Sequence, residues 1–361
     1  MTLVKDELNK RLALQQFPRS AKYDGEWMVR HSGGPNVIWL TEALCEVVDL
    51  QPGMRVLDMG CGRAISSIFL AREFDVQVWA TDLWVSASDN WERICDEGEQ
   101  HRVFPIHAEA HTLPFADGFF DAAVSMDAYH YFGTEDLYID RYSRLVKPGG
   151  QIGIVVPGLR AELVEGVPEE LAPYWPWDFC SFHTPEWWRH HWEKTGKVEV
   201  DLADMIPNGA EFWLHWNETR QAHGGGDADE ATLLKLDAGR RLGFTRMVAR
   251  LSGPPVKTEL QRAVERGDLE TARKLLAGGA DPDARNRADS TPIHHAIWAC
   301  GEGQLRQEEA RSIVELLLDH GADVNAVHRR AGTPLAYSKR VRADGISELL
   351  RGREGRMSAD R

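Results

Sequence analysis

Along the first 250 residues, short apolar runs alternate with stretches whose apolar residues recur at helical spacing. One run ends at Val56 and Leu57, and a turn containing Gly60 and Gly62 follows. Ile65, Ile68, Phe69 and Ala71 then predict a helix with one face on a sheet. A second run, Val76 to Ala80, predicts the next strand. LPFADGFFDAAVSM reads as a turn at Asp117-Gly118 leading into a buried strand, Ala122 to Met126. LVKPGG stops a helix before the strand Ile152 to Val156. Farther on, AEFWLHWNETRQAHGG ends a helix, GGGDADE (224–230) is a turning connection, and LGFTRMVARL supplies a late strand. Strand, helix and turn repeat in an order that argues for an α/β, mostly parallel, doubly wound sheet with helices on both faces. Ligands in such sheets lie beyond the carboxyl ends of the strands.

The pattern changes after a linker expected at Ser252-Gly253-Pro254-Pro255. Short amphipathic helices now come in pairs. Gly-Ala-Asp recurs at Gly279 and Gly321, and Thr-Pro at Thr291 and Thr333. The chain therefore divides into a catalytic-type domain, 1–252, a helical repeat domain, 257–351, and a flexible tail, 352–361.

Chemistry concentrates at the carboxyl ends of the predicted strands. Asp58 precedes Gly60-Cys61-Gly62, and Asp82 closes the second run, where an acid can take hydrogen bonds from ribose hydroxyls. The turn departs from the G-x-G-x-x-G dinucleotide fingerprint. A carboxylate at its mouth repels a pyrophosphate and attracts a cationic amino acid moiety, which favours S-adenosylmethionine over NAD.

From Gly53 to Pro157 the chain resembles the class I S-adenosylmethionine-dependent methyltransferases of the small-molecule branch. The resemblance implies a Rossmann-like, seven-stranded sheet with S-adenosylmethionine as cofactor. It implies that Asp58, Gly60, Cys61 and Gly62 line the methionine part and that Asp82, with Leu83 beside it, holds the ribose. HAEAHTLPFADGFFDAAVSMDAYHYF looks like the next two motifs, with Glu109 and Ala110 on the adenine side and Asp127 after the fourth strand. Glu109 stands where Asp is usual, and Ala64 where many members have glycine.

Methyl transfer from a sulfonium chiefly requires alignment of the acceptor and exclusion of water. An acceptor that must lose a proton also needs a base. His130, just past the fourth strand, is the first candidate, with Tyr129 and Tyr131 as neighbours that can orient substrate; the ring can equally serve only to hydrogen-bond a loop. An aromatic insert lies near 158–196, and its richest part, Tyr174 to Gly196, offers Trp175, Trp177, His183, Trp187 and Trp188 as substrate contacts. Asp178 and Glu186 there can add charge opposite to an amine. Packing of the same rings onto the sheet is the alternative. Thr184 and Pro185 mark a helix start, which places Trp188 and Trp192 on one face. His183, His190 and His191 lack a completing carboxylate pattern, so no metal is expected. In the N-terminal helical cover, Tyr23 and Trp27 precede a Gly33-Gly34-Pro35 turn and are expected to close over the site.

The paired helices from 257 to 351 resemble ankyrin repeats, by T-P-x-x-x-A at helix starts and L-L-x-x-G-A-D at the ends. The 42-residue spacing, against the usual 33, implies an insertion around Gly301 to Glu309 that lengthens the connection between two helices. Leu260, Ala263, Leu275, Leu276, Ile293, Ala296, Leu316 and Leu317 are expected core positions. The repeats imply self-association or a protein partner.

A formal charge of −14 over 361 residues disfavours nucleic acid as a partner, and the local sequence after Asp127, D-A-Y-H, lacks an aromatic-proline catalytic motif. Five cysteines without a C-x-x-C pair point to a reducing compartment, and a charged start without an apolar core to a cytoplasmic location with no membrane contact. The expected function is methyl transfer to a small molecule. The alternatives are a protein methyltransferase that recruits its target through the repeats, a nucleic-acid methyltransferase and an inactive cofactor-binding scaffold.

Overall fold

The computed structural model describes residues 3–251, 257–286, 289–328 and 331–357. The chain forms two compact units, 1–252 and 253–361. The linker expected at 252–255 and the last residues of the tail, 358–361, lie outside the described residues. Among the described residues no helix is long and apolar enough to cross a membrane.

The first unit is built on seven strands, β1 (Arg55–Met59), β2 (Gln77–Asp82), β3 (Val103–His107), β4 (Phe120–Met126), β5 (Val146–Leu159), β6 (Val198–Met205) and β7 (Leu242–Leu251). Their order is β3-β2-β1-β4-β5-β7-β6. The first five pair in parallel, and β7 runs antiparallel to both β5 and β6. The expected mostly parallel doubly wound sheet is thus present, closed at one edge by an antiparallel pair.

Side chains alternate between two cores, as a period of two requires. Val56, Val124, Val155 and Val248 join the core under the helices Val37–Cys45 and Ile65–Phe74. Leu57, Ala123, Ile154 and Met247 join the opposite one, with Tyr129, Tyr138, Tyr142, Trp188 and Trp192. The strand order reverses between β1 and β4, so connections leave their carboxyl ends in opposite directions and open a crevice there. The helix expected from Ile65 spans Ile65–Phe74. Ala64 before it has φ 59°, the left-handed region where glycine is favoured. Of the connection expected at 224–230, the end is helical: Asp227 caps a helix, Ala228–Asp237.

Among the described residues the second unit contains three helix pairs, Glu259–Glu265 with Leu269–Ala277, Pro292–Gly301 with Gln307–Asp319, and Pro334–Arg340 with Asp344–Gly352. All the expected core residues are buried except Leu275, which is partly buried against the same core. The extra residues of the middle pair correct the expected insertion. Its helices have 10 and 13 residues where both neighbouring pairs have 7 and 9, so most of the added length is helix and little is connection.

Candidate functional site

A cavity of about 630 Å³ occupies the crevice at the ends of β1, β2 and β4. Its floor is the turn after β1. Gly60 has φ 71°, and a Cβ there would fall 2.3 Å from the Ala128 Cβ, so the β1 and β4 turns touch through a bare backbone. Gly62 has φ 53° and open space where a Cβ would stand, a place a side chain would fill. Asp82 fastens this loop: its carboxylate accepts from the N–H groups of Gly62, Trp84 and Val85, all at 2.8 Å. Each carboxylate oxygen accepts about two bonds, so the oxygen holding Gly62 retains one lone pair.

Gly60, Cys61, Gly62, Asp82, Leu83, Glu109, Ala110 and Asp127 all line this cavity. Glu109 is tied to the backbone N–H of His111 at 2.9 Å and to its ring. Burial pushes its carboxyl up, but these bonds outweigh that and hold it below its ordinary value. Asp58 is the exception. It is fully buried beneath the loop and accepts from the hydroxyls of Ser66 and Ser67, both at 2.6 Å, so it secures the first turn of the helix Ile65–Phe74 and does not line the cavity. Burial raises its pKa to about 6, against the two serine bonds.

The cover comes from the N-terminal segment, through His31, Gly33, Gly34 and Pro35. Arg63 donates to the Arg30 carbonyl at 2.6 Å, and Trp216 to that of Gly34 at 2.8 Å. Tyr23 and Trp27, the expected cover residues, stack on each other with centroids 5.7 Å apart and line a separate groove with Lys22 and Glu73. Neither lines the cavity; of the helix Gly25–His31, which carries Trp27, only the last residue reaches in.

A second chamber of about 420 Å³ adjoins the first, and Gly34, Pro35, Asp127 and Tyr131 line both. Trp175, Phe179, Phe182 and Trp213 form an aromatic wall. His130 also lines it; the residue is 2% exposed and its Nδ1 has no hydrogen-bond partner. Burial lowers its pKa to about 3, so the ring is neutral at ordinary pH.

Several expected substrate contacts lie elsewhere. Tyr129 is fully buried on the opposite side of the sheet, its ring 5.4 Å from that of Trp192, because the short turn after β4 points successive side chains to different faces. Trp188 is fully buried in the same core, as the shared helical face with Trp192 requires. Trp187 is sandwiched between His183 and His191, at 3.7 and 4.5 Å, and His183 also meets Glu162, so none of these reaches either chamber. Trp177 is 86% exposed and lines neither. Sequence reasoning missed Phe179, Phe182, Trp213 and Glu230. Trp213 and Glu230 come from later helices and lie 31 and 48 residues beyond Phe182, and no local motif marks them.

Residues 56–150 match a family model described as a methyltransferase domain. The first unit carries a methyltransferase domain. Residues 260–302 and 289–329 match ankyrin-repeat models, and the second unit is an ankyrin-repeat array. Methyltransferase GfsG of Streptomyces halstedii is 29% identical over 172 residues, 46% of this chain and 59% of that protein. The glycine/sarcosine/dimethylglycine N-methyltransferase of Actinopolyspora halophila is 29% identical over 160 residues, 44% of this chain and 28% of its own length. The match thus spans less than two thirds of each relative. Among solved structures, the [4+2]-cyclase SpnF aligns with TM-score 0.50 at 21% identity, covering 63% of this chain and 85% of that one. Phosphoethanolamine N-methyltransferase 2 of Haemonchus contortus, solved with S-adenosyl-L-methionine, aligns with TM-score 0.52 at 20% identity, covering 70% and 61%. These likenesses establish the fold. A cyclase among them means that the fold alone does not name the reaction.

Proposed function

We propose that the first unit binds S-adenosylmethionine in the larger chamber and transfers its methyl group to a small molecule in the smaller one. The observation that carries this reading is the junction: Asp127 lines both chambers, so a ligand in each would meet beside it. Bound there, S-adenosylmethionine supplies a methyl group already activated on a sulfonium. The chain's own contribution is placement. Asp82 offers its free lone pair to a ribose hydroxyl, Glu109 and Ala110 flank the adenine, and the backbone of Gly60 to Gly62 lies against the methionine part. Arg63 and Trp216 hold the cover down and keep water from the junction. The volumes suit small ligands, whose pockets span roughly 300 to 1,000 Å³. The ankyrin array adds a surface for a protein partner or a second copy.

The test is calorimetric titration of the full chain with S-adenosylhomocysteine, followed by incubation of a metabolite extract with methyl-labelled S-adenosylmethionine. Saturable binding and label in a small product are expected. Asp82→Ala weakens binding by about ten- to a hundredfold, since a hydrogen bond to a charged group is worth about 1.5–3 kcal/mol. A folded protein that takes up neither ligand overturns the proposal.

A further inference from the structure

The smaller chamber is lined by five carboxylic acids, Asp127, Asp178, Asp227, Asp229 and Glu230, and by no lysine or arginine. Two of them have a local purpose. Asp227 caps the helix Ala228–Asp237, accepting from the N–H groups of Asp229 and Glu230 at 2.9 and 3.0 Å, and Asp229 sits in its first turn, where the helix dipole favours an acid. Asp127, Asp178 and Glu230 are in no ion pair among the described residues. Burial raises the Asp127 carboxyl well above its ordinary value, and the charges of Glu230 and Asp178 add to the effect. Glu230 is also raised by burial, even though it accepts from Asn217 at 2.6 Å. Arg220 lowers it from outside the chamber, but that guanidinium is directed to the carbonyls of Gly33 and Gly34, at 3.4 and 3.3 Å.

The same chamber has the aromatic wall. Phe179 lies 5.4 Å from Trp175, 4.1 Å from Phe182 and 6.3 Å from Trp213, ring to ring. His130, edge-on to Phe182, leaves its buried Nδ1 without a partner. A solvated acidic face would explain the carboxylates without the rings, and an apolar pocket the rings without the carboxylates. A ligand that satisfies both is an organic cation, which ring faces and carboxylates attract together.

We infer that the acceptor held in this chamber is an organic amine that enters as its ammonium ion. The inference rests on the proposed cofactor site next door. A bound ammonium draws the carboxyl beside it back to its ionised form, and for transfer it gives its proton to that carboxylate, Asp127 or Glu230. The freed lone pair forms the new N–C bond as the methyl–sulfur bond breaks, and the electron pair of that bond stays on sulfur.

The test uses the full chain saturated with S-adenosylhomocysteine and three probes of similar shape at neutral pH, 2-phenylethylamine, 2-phenylethanol and phenylacetate. Binding is read by calorimetry and by quenching of tryptophan emission. The amine should bind at least tenfold more tightly than the alcohol, with phenylacetate weakest. Asp178→Asn and Glu230→Gln should each weaken the amine several-fold and leave the alcohol unchanged. Equal affinity for amine and alcohol, binding of none of the three, or equal weakening of both by the variants overturns the inference. S-adenosylhomocysteine uptake, measured first, reports separately on the cofactor site and shows that each variant is folded. If one variant fails that check, the other and the probe series still decide.

Discussion

Gly60 and Gly62 look equivalent in the sequence, but the structure gives alanine at each a different consequence. Both have positive φ, and left-handed backbone costs a residue with a Cβ about 1–2 kcal/mol. At Gly62 that is the whole structural cost, because nothing lies within 4 Å of the new carbon. At Gly60 the carbon arrives 2.3 Å from the Ala128 Cβ, and overpacking of this kind adds about 1–3 kcal/mol. Gly60→Ala should therefore lose about 2–5 kcal/mol and Gly62→Ala about 1–2. For a domain of this size each kcal/mol moves Tm by about 2–4 °C, so the shifts centre near 10 °C and near 5 °C. Thermal unfolding of the full chain by tryptophan fluorescence reads the first unit selectively, since of 13 tryptophans only Trp298 lies in the second. Ligand affinity should reverse the order of harm per unit of stability: Gly62→Ala fills the cavity and weakens S-adenosylhomocysteine while remaining well folded. The double variant Gly60→Ala with Ala128→Gly removes the overlap and should recover about 1–3 kcal/mol. Equal losses at the two positions, or no recovery in the double variant, would refute the reasoning.

Two further outcomes follow from buried groups. Asp58 ionises near pH 6 in the folded chain and near 3.8 when free of its surroundings, so between these values the folded state binds more protons and stability falls as pH rises. Asp58→Asn should flatten that part of the denaturant-midpoint profile; an unchanged slope would show that Asp58 is not its source. Tyr129→Phe should leave turnover with any identified acceptor unchanged and cost less than about 1 kcal/mol, since the hydroxyl has no hydrogen-bond partner. A tenfold fall in kcat would return Tyr129 to the reaction.

The lining of the larger chamber was legible because its residues lie in short motifs at strand ends. Sheet topology then carries Gly60, Asp82, Glu109 and Asp127 to one crevice. Asp58 was misread because its place in the motif does not reveal that Ser66 and Ser67, one turn into the next helix, bind it from below. The smaller chamber was legible only as aromatic density. Helical periodicity could have assigned Trp188 and Trp192 firmly to the core, but it has no purchase on the short turns that carry Tyr129, Trp175 and Trp177. Trp213 and Glu230 escaped because their relevance arises from the meeting of segments far apart in the chain. In the repeats, the period and its displacement were visible, while the division of the added length between helix and connection was not.

The partition between the chambers contains Gly34, where a Cβ would fall 2.7 Å from the Asp127 carboxylate. At this point the partition is bare main chain, and Pro35, Asp127 and Tyr131 complete it. The size of the smaller chamber is therefore open to change on its outer wall, at Trp175, Phe179 and Trp213, while at Gly34 the approach of the two chambers stays set by the backbone.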